Sequence, residues 1–231
     1  MTTDQPKVLV LDIDDTLFLE RDFVRSGFLA TESVIASQFG KQGFADECWA
    51  LFLQGERHTI FDQLLDEFNI EKTPALIQSL IKAYREHTPT IELLPDAIKL
   101  LQAAHKTIPI TAISDGPLKM QQNKVHALQL DRWIETILLT DLWGPEAEKP
   151  NRKCFLEIER IYGLSGRDCI YVGDNPGKDF VGPNELGWIS VRIRRELGIY
   201  SLEEPEARGK PDIEITDLTQ LLEIFNLNNS P

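Results

Sequence analysis

The stretch KVLVLDIDDT, residues 7–16, indicates the type of fold more clearly than any other part of the chain. Residues 7–11 are a short apolar run with β-branched valines, which predicts a strand covered on both faces. Directly after this run the sequence turns acidic, with Asp12, Asp14 and Asp15. A buried strand that ends in several carboxylates predicts a sheet with ligand-binding groups along one edge.

Similar apolar runs recur along the chain and alternate with helical patterns. The further strand-like runs are 108–113, 136–139, 169–172 and 188–193. The helical patterns between them are 96–105, 117–130, 152–162 and a short stretch around Asn184. This alternation predicts an α/β fold with a doubly wound, Rossmann-like parallel sheet. Ligands of such sheets bind beyond the carboxyl ends of the strands.

One long segment interrupts the alternation. Residues 19–92 contain no strand-like run and show only helical periodicity. The two predicted helical stripes are Phe23, Val24, Phe28, Ile35 and Phe39, and Ile60, Leu64, Leu65 and Phe68. Thr73 followed by Pro74 predicts the N-cap and the first turn of one of these helices. The sequence therefore predicts a catalytic core of residues 1–18 and 93–231, with a helical cap, 19–92, inserted into it.

Composition limits the classes of function. The 24 Lys and Arg residues face 37 Asp and Glu residues, giving a formal net charge of −13, which disfavours binding to nucleic acid or to anionic membranes. The three cysteines are far apart and form no C-x-x-C pair, so a zinc or redox site is not expected. No signal peptide and no long apolar segment is recognisable, so we expect a soluble cytoplasmic protein.

Polar residues of a particular kind follow the predicted strands. These groups are Asp12 to Thr16, Ser114-Asp115-Gly116, Lys149-Pro150, and Gly173 to Asp179. In a parallel sheet they meet at one edge, where clustered carboxylates repel one another unless a cation lies among them. Carboxylate oxygens suit Mg²⁺, while a lysine, a serine and a glycine-containing turn suit a phosphoryl group. The combination predicts phosphoryl transfer.

These residues resemble the motifs of the haloacid dehalogenase-like hydrolase superfamily, in the order typical of that superfamily and over nearly the whole chain. The motifs are D-x-D-x-T, a Ser or Thr ending the next strand, a Lys before or early in a helix, and G-D-x-x-x-x-D. The matching residues are Asp12, Asp14 and Thr16 in the first motif, Ser114 in the second, Lys149 in the third, and Gly173, Asp174 and Asp179 in the fourth.

The resemblance implies a magnesium-dependent phosphatase. Asp12 would attack phosphorus to form an aspartyl-phosphate, and Asp14 would act as acid and then as base, with Lys149 stabilising negative charge. The implied metal ligands are Asp12, the backbone carbonyl of Asp14, and Asp174. Asp179 would lie behind these ligands or contact the metal through a water molecule. The implied substrate-binding residues are Thr16, Ser114, Asp115 and Gly116.

The inserted segment would cover the site, as helical inserts between the first two motifs do in this superfamily. Arg21 and Arg25 lie on the first helix after the catalytic loop, and Arg57 lies in a glycine-containing turn. We expect these three arginines to contact the part of the substrate beyond the phosphate. The alternative is that all three are ordinary solvated side chains.

Other activities of the superfamily compete with this interpretation. Dehalogenases generally lack the second acid of the first motif, so the presence of Asp14 disfavours them. Phosphonatases need a cap lysine for a Schiff base, and they are disfavoured because Lys41, Lys72 and Lys82 look like surface residues. A phosphomutase shares all the motifs, and a non-catalytic metal-binding scaffold is the alternative from a different class. The preferred prediction is a hydrolase of a small phosphorylated metabolite. The identity of that metabolite and the oligomeric state are left open.

Overall fold

A six-stranded parallel sheet organises the larger of two structural units. The computed structural model describes residues 6–227; of these, residues 6–20 and 92–227 form the larger unit, and Arg21–Ile91 form the smaller one. The strands are β1 (Val8–Leu11), β2 (Ile110–Ser114), β3 (Thr136–Leu139), β4 (Cys169–Gly173), β5 (Ile189–Ile193) and β6 (Ile213–Ile215). Their order is β3-β2-β1-β4-β5-β6, and every neighbouring pair is parallel. The predicted α/β fold is confirmed.

Nine α-helices accompany the sheet within the described residues. Those of the smaller unit are α1 (Glu20–Phe39), α2 (Phe44–Leu53), α3 (Ile60–Glu67) and α4 (Pro74–Glu86). Those of the larger unit are α5 (Pro95–Ala104), α6 (Leu118–Ala127), α7 (Lys153–Tyr162), α8 (Val181–Glu185) and α9 (Gln220–Ile224). None of the helices in residues 6–227 is both long and apolar enough to cross a membrane.

Strand β1 lies at the centre of the sheet because its four residues are apolar and can be buried on both faces. Val8 and Val10 pack in one core cluster with Phe155 of α7 and Tyr171 of β4. The alternate residues of β1 point to the opposite face and are also fully buried. The next strand along the chain, β2, pairs with one side of β1, and β4 pairs with the other side. The carboxyl ends of these three strands are therefore adjacent, which is where a doubly wound sheet binds its ligand.

Strand β6 was not among the predicted strands. It has only three residues, Ile213–Ile215, and lies at the edge of the sheet beside β5. So short a run, set between polar segments, has too little periodicity to be recognised from sequence. Its pairing with β5 is a product of tertiary structure.

The smaller unit is built on aromatic contacts. Phe28 of α1 makes edge contacts with Phe52 and Phe61, at ring-centroid distances of 6.4 Å to each, and lies 5.6 Å from Tyr84. Phe23, Val24, Phe28 and Ile35 of the predicted stripe are buried on the inner face of α1, whereas Phe39, its last member, is 42% exposed at the end of the helix. The predicted N-cap at Thr73 is also confirmed, since its side chain accepts a hydrogen bond of 3.2 Å from the amide of Leu76.

A buried ion pair joins distant segments of the larger unit. Arg195, which follows β5, lies 2.5 Å from the carboxylate of Asp96 at the start of α5, and both side chains are at most 10% exposed. Arg195 also donates a 2.6 Å hydrogen bond to the carbonyl of Thr16, in the loop after β1. The Asp96 carboxylate accepts a further bond from the amide of Leu218. The loop that carries the first motif is therefore anchored by residues far away in sequence.

We expect Asp96→Asn to lower the free energy of unfolding by about 3 kcal/mol, because it leaves the Arg195 guanidinium buried without its carboxylate. The control is Glu157→Gln, which removes the carboxylate from a pair with Arg160, whose side chain is 72% exposed. That loss should stay below about 1 kcal/mol. Urea unfolding measures both values, and equal small losses would show that the buried pair does not stabilise the fold.

Candidate active site

The loop after β1 is held in place by its third acidic residue. Asp15 has a positive φ of 47°, and its carboxylate accepts backbone hydrogen bonds from Glu20 at 2.8 Å and from Ile199 at 2.7 Å. Burial raises the pKa of Asp15 to about 6. Because Asp15 is used to tether the loop, Asp12 and Asp14 remain available for other contacts.

Three carboxylates meet just beyond the carboxyl ends of the neighbouring strands β1 and β4. One oxygen from each of Asp12, Asp174 and Asp179 lies within 4.8 Å of the others, and all three residues are buried. Asp179 is held by the amide of Asn175, which donates a 2.8 Å bond to it. Burial raises the pKa of Asp12 to about 7, and burial together with its two acidic neighbours raises the pKa of Asp174 well above its usual value. The cluster therefore favours binding of a cation.

Lys149 supplies one positive charge to this cluster. Its Nζ lies 2.6 Å from Oδ1 of Asp12 and 2.8 Å from Oδ1 of Asp179, and it donates a 2.7 Å hydrogen bond to the Tyr171 hydroxyl. Burial alone lowers the pKa of a lysine, but the carboxylates of Asp12 and Asp179 raise the pKa of Lys149 well above its ordinary value. Lys149 is therefore charged, and it offsets only one of the three carboxylates.

The second motif forms a turn beside the acidic cluster. Ser114 is buried at the end of β2, and its Oγ donates a 3.0 Å hydrogen bond to Gln121. Gly116 has a φ of 119°, a conformation that favours glycine, and a Cβ there would lie 3.0 Å from the Gln121 amide nitrogen. The Asp115 carboxylate lies 2.9 Å from Nζ of Lys178. This turn therefore presents a hydroxyl and backbone amides next to two lysines.

The Asp14 side chain is separate from the acidic cluster. Its Oδ1 lies 2.6 Å from Nζ of Lys124, and its Oδ2 accepts a 3.3 Å hydrogen bond from Gln121. The side chain is 19% exposed. The predicted metal contact of Asp14 concerns its backbone carbonyl, and that role stays a prediction.

Thr16 has no access to solvent. The residue is fully buried, and its hydroxyl has no hydrogen-bond partner among the described residues. Its carbonyl is the group that accepts the hydrogen bond from Arg195. The geometry therefore assigns Thr16 a position inside the catalytic loop, and its predicted contact with substrate stays a prediction.

The three predicted cap arginines all have partners within the smaller unit. The guanidinium carbons of Arg21 and Arg25 lie 5.2 and 5.4 Å from the centre of the Trp49 ring. Arg25 also lies 2.7 Å from Asp46. The Arg57 guanidinium donates to the carbonyls of residues 52 and 56 at the end of α2. These contacts support the helices of the insert, and substrate binding by the three arginines stays a prediction.

Sequence reasoning missed several polar residues of the site. Gln121 and Lys124 fall in a segment interpreted only as a helix, and Tyr171 falls in one interpreted only as a buried strand. Lys178 lies within the fourth motif, at a position to which no role was assigned. The single available signal was the spacing of Gln121 and Lys124, which places both on one face of the helix that follows the second motif. That spacing is common on solvated helices, so it did not distinguish them.

The comparisons with known proteins agree with this geometry. A family model of haloacid dehalogenase-like hydrolases matches residues 6–187. The chain belongs to this family of hydrolases. The predicted enzyme class, a phosphatase-type hydrolase of the superfamily, is confirmed.

Several characterised relatives are phosphatases. The chain is 28% identical over 228 residues to the glyceraldehyde 3-phosphate phosphatase of Methanopyrus kandleri, covering 94% of this chain and 96% of that protein. It is 25% identical over 166 residues to the phosphoserine phosphatase of Thermus thermophilus, covering 71% and 63%. Among solved structures, the magnesium-bound putative hydrolase YfnB of Bacillus subtilis superposes with a TM-score of 0.69 at 20% identity, covering 96% of this chain and 100% of that one. This last similarity concerns the fold.

We expect Asp174→Asn to stabilise the protein in the presence of a chelator, because it removes one of three buried like charges. Because burial and the neighbouring carboxylates raise the pKa of Asp174, its ionised form is disfavoured in the folded protein, so the amide is expected to increase the free energy of unfolding near pH 8. The matched control, Asp168→Asn, alters an exposed pair with Lys7 and should change stability by less than about 1 kcal/mol. Urea unfolding in EDTA measures both. A loss of stability in the Asp174 variant would contradict the description of a strained acidic cluster.

Proposed function

We propose that this hydrolase removes phosphate from a small phosphorylated metabolite by way of an aspartyl-phosphate on Asp12. The observation that supports this best is the 2.6 Å contact between Lys149 and Asp12 inside the acidic cluster. It places a nucleophilic carboxylate beside a fixed positive charge, while Asp14, two residues later, has separate partners. Two carboxylates with different surroundings suit two different roles.

The proposed reaction has two steps. In the first, an oxygen of Asp12 forms a bond to phosphorus while the bond from phosphorus to the leaving oxygen breaks, and Asp14, which must start this step as the neutral acid, gives that oxygen its proton. In the second, a water oxygen attacks phosphorus, the bond to Asp12 breaks, and Asp14 takes the proton of the water. The net products are an alcohol and inorganic phosphate, and both aspartates return to their starting state.

The surrounding groups are proposed to bind the phosphoryl oxygens. Lys149 offsets negative charge on Asp12 and on the phosphoryl group, and the amides near Asp115 and Gly116 donate hydrogen bonds to the phosphoryl oxygens. The Ser114 hydroxyl, which donates to Gln121 in this structure, would have to release that partner to donate to the phosphoryl group. The ion pair of Asp115 with Lys178 keeps a second cation near the turn. Ser114 ends β2 and Asp115 and Gly116 follow it directly, whereas Lys149 lies in the loop between β3 and α7 and Lys178 in the loop after β4.

The acidic cluster is proposed to hold Mg²⁺. Three buried carboxylates with one lysine leave unbalanced negative charge, and hard oxygen ligands of this kind suit Mg²⁺. Asp12, Asp174 and the carbonyl of Asp14 would be its ligands. Asp179 would lie behind these ligands or contact the ion through a water molecule. The bound ion would supply charge neutralisation for the nucleophile and the phosphoryl group.

The size of the substrate is suggested by the relatives. Glyceraldehyde 3-phosphate and phosphoserine, named for two groups of relatives, are both three-carbon phosphomonoesters. We therefore propose a short-chain phosphomonoester as substrate, with the inserted helical segment, 19–92, acting as the cap and Arg21, Arg25 and Arg57 as candidate contacts. The formal charge of −13 supports the absence of a nucleic-acid partner.

We expect Asp12→Asn to abolish hydrolysis of 4-nitrophenyl phosphate, with a loss of several powers of ten, because an amide is a poor nucleophile. Steady-state kinetics measure the loss, and Asp168→Asn should retain wild-type rates. Retention of a tenth of the wild-type activity by the Asp12 variant would refute the assignment of the nucleophile.

We expect activity to require a divalent metal, with Mg²⁺ effective and Ca²⁺ inhibitory, because Ca²⁺ prefers more ligands and a looser geometry. The measurement is turnover after exhaustive chelation, followed by titration with each ion. Asp174→Asn should raise the Mg²⁺ concentration needed for half-maximal rate by tenfold or more, since it removes a charged ligand. Full activity in the chelated protein would contradict the metal site.

A further inference from the structure

Two buried polar residues of α6 connect the first and second motifs. Gln121 and Lys124 are three positions apart, so both lie on the same face of the helix. Both are fully buried, although glutamine and lysine are normally exposed on helices. The function proposed above uses neither residue.

Lys124 and Gln121 contact different oxygens of the same carboxylate. Lys124 contacts Oδ1 of Asp14 at 2.6 Å, and the Gln121 amide nitrogen donates to Oδ2 at 3.3 Å. The same nitrogen donates a 2.8 Å bond to the carbonyl of Asp115, while the Gln121 oxygen accepts the bond from Ser114. Contacts to both oxygens fix the plane of the carboxylate, because rotation about its bond would break one or both.

The burial of Lys124 needs a compensating interaction. Removing an ammonium group from water costs several kcal/mol, and a methionine of similar length would fill the same space without that cost. The side chain of Lys124 is 0% exposed, whereas that of Asp14 is 19% exposed. The pair is therefore asymmetric: the lysine is entirely internal, and the carboxylate keeps one side accessible to a small molecule.

We propose that Lys124, with Gln121, is a positioning residue that holds the Asp14 carboxylate in the orientation required for proton transfer to the leaving oxygen. This inference rests on the proposed function, in which Asp14 is the acid. Proton transfer requires the carboxyl oxygen within hydrogen-bonding distance of the reacting atom, so a carboxylate free to rotate transfers the proton less efficiently. Lys124 acts through Asp14 and does not itself contact the substrate.

The test uses two aryl phosphates that are alike in shape and differ in their need for a proton. The nitro group stabilises the departing phenolate of 4-nitrophenyl phosphate, so its cleavage depends little on Asp14. Phenyl phosphate has a poorer leaving group and depends on the acid. The quantity measured is kcat/KM, because it reports the formation of the aspartyl-phosphate, the step in which the leaving group departs.

We expect Lys124→Met to lower kcat/KM for phenyl phosphate by about 30-fold or more and for 4-nitrophenyl phosphate by about 3-fold or less, given that general acids contribute roughly 10²–10⁴-fold. Lys124→Arg, which keeps the charge, should restore most of the loss on phenyl phosphate. The matched control is Lys119→Met on the exposed side of the same helix, which should leave both substrates unaffected.

Equal losses on the two substrates, or no loss on either, would overturn the proposal, because a purely structural role does not depend on the leaving group. If Lys124→Met does not show cooperative urea unfolding, Lys124→Gln, which removes the charge but keeps a polar side chain, replaces it. A loss mainly on phenyl phosphate supports positioning, and equal losses or no loss overturn it. Failure of the proposed function is recognised separately. In that case the wild type hydrolyses neither ester, or Asp12→Asn retains activity.

Discussion

Repulsion among the buried carboxylates of Asp12, Asp174 and Asp179 is the constraint around which the larger unit is arranged. Parallel packing of β1 and β4 brings these side chains together, and burial denies them the water that would screen their charges. A single lysine, Lys149, offsets part of the charge and holds two of the carboxylates in place. The arrangement disfavours the ionised forms of Asp12 and Asp174, and under the proposed function a cation and a phosphoryl group would bind at this site.

The rest of the unit resists that repulsion by anchoring the backbone of the catalytic loops. Arg195 donates to the carbonyl of Thr16 after β1, and the fully buried Arg192 donates a 3.2 Å bond to the carbonyl of Asp174 after β4. Both arginines come from the end of β5 or the residues just after it. Charged donors on carbonyl groups of this kind fix the backbone without adding negative charge to the site. The side chains that hold the backbone of these loops, Arg192 and Arg195, are therefore different from the side chains of the acidic cluster.

The polar network of α6 adds a second level of organisation. Gln121 is hydrogen-bonded to Ser114, to the carbonyl of Asp115 and to Asp14, so it links the proposed phosphate-binding residues with the proposed acid. Lys124 completes the contact with Asp14. A helix that follows the second motif thus contacts Asp14 and Ser114 through its buried face, and the proposed positioning of Asp14 rests on these contacts. Its length and position were predictable from sequence, but its role was not.

The sequence by itself determined the fold class, the family and the residues at the strand ends. These features are local: an apolar run of four or five residues predicts a buried strand, and an acid directly after it must lie at the sheet edge. Only the tertiary structure decided which charges meet. Lys124 and Asp14 are separated by 110 residues, and Arg195 and Asp96 by 99. A lysine or arginine in a helical or loop pattern is normally solvated, and only packing against distant segments buries it beside a particular carboxylate. The same reason explains why β6 went unrecognised, since its three residues form a strand only because β5 lies beside them.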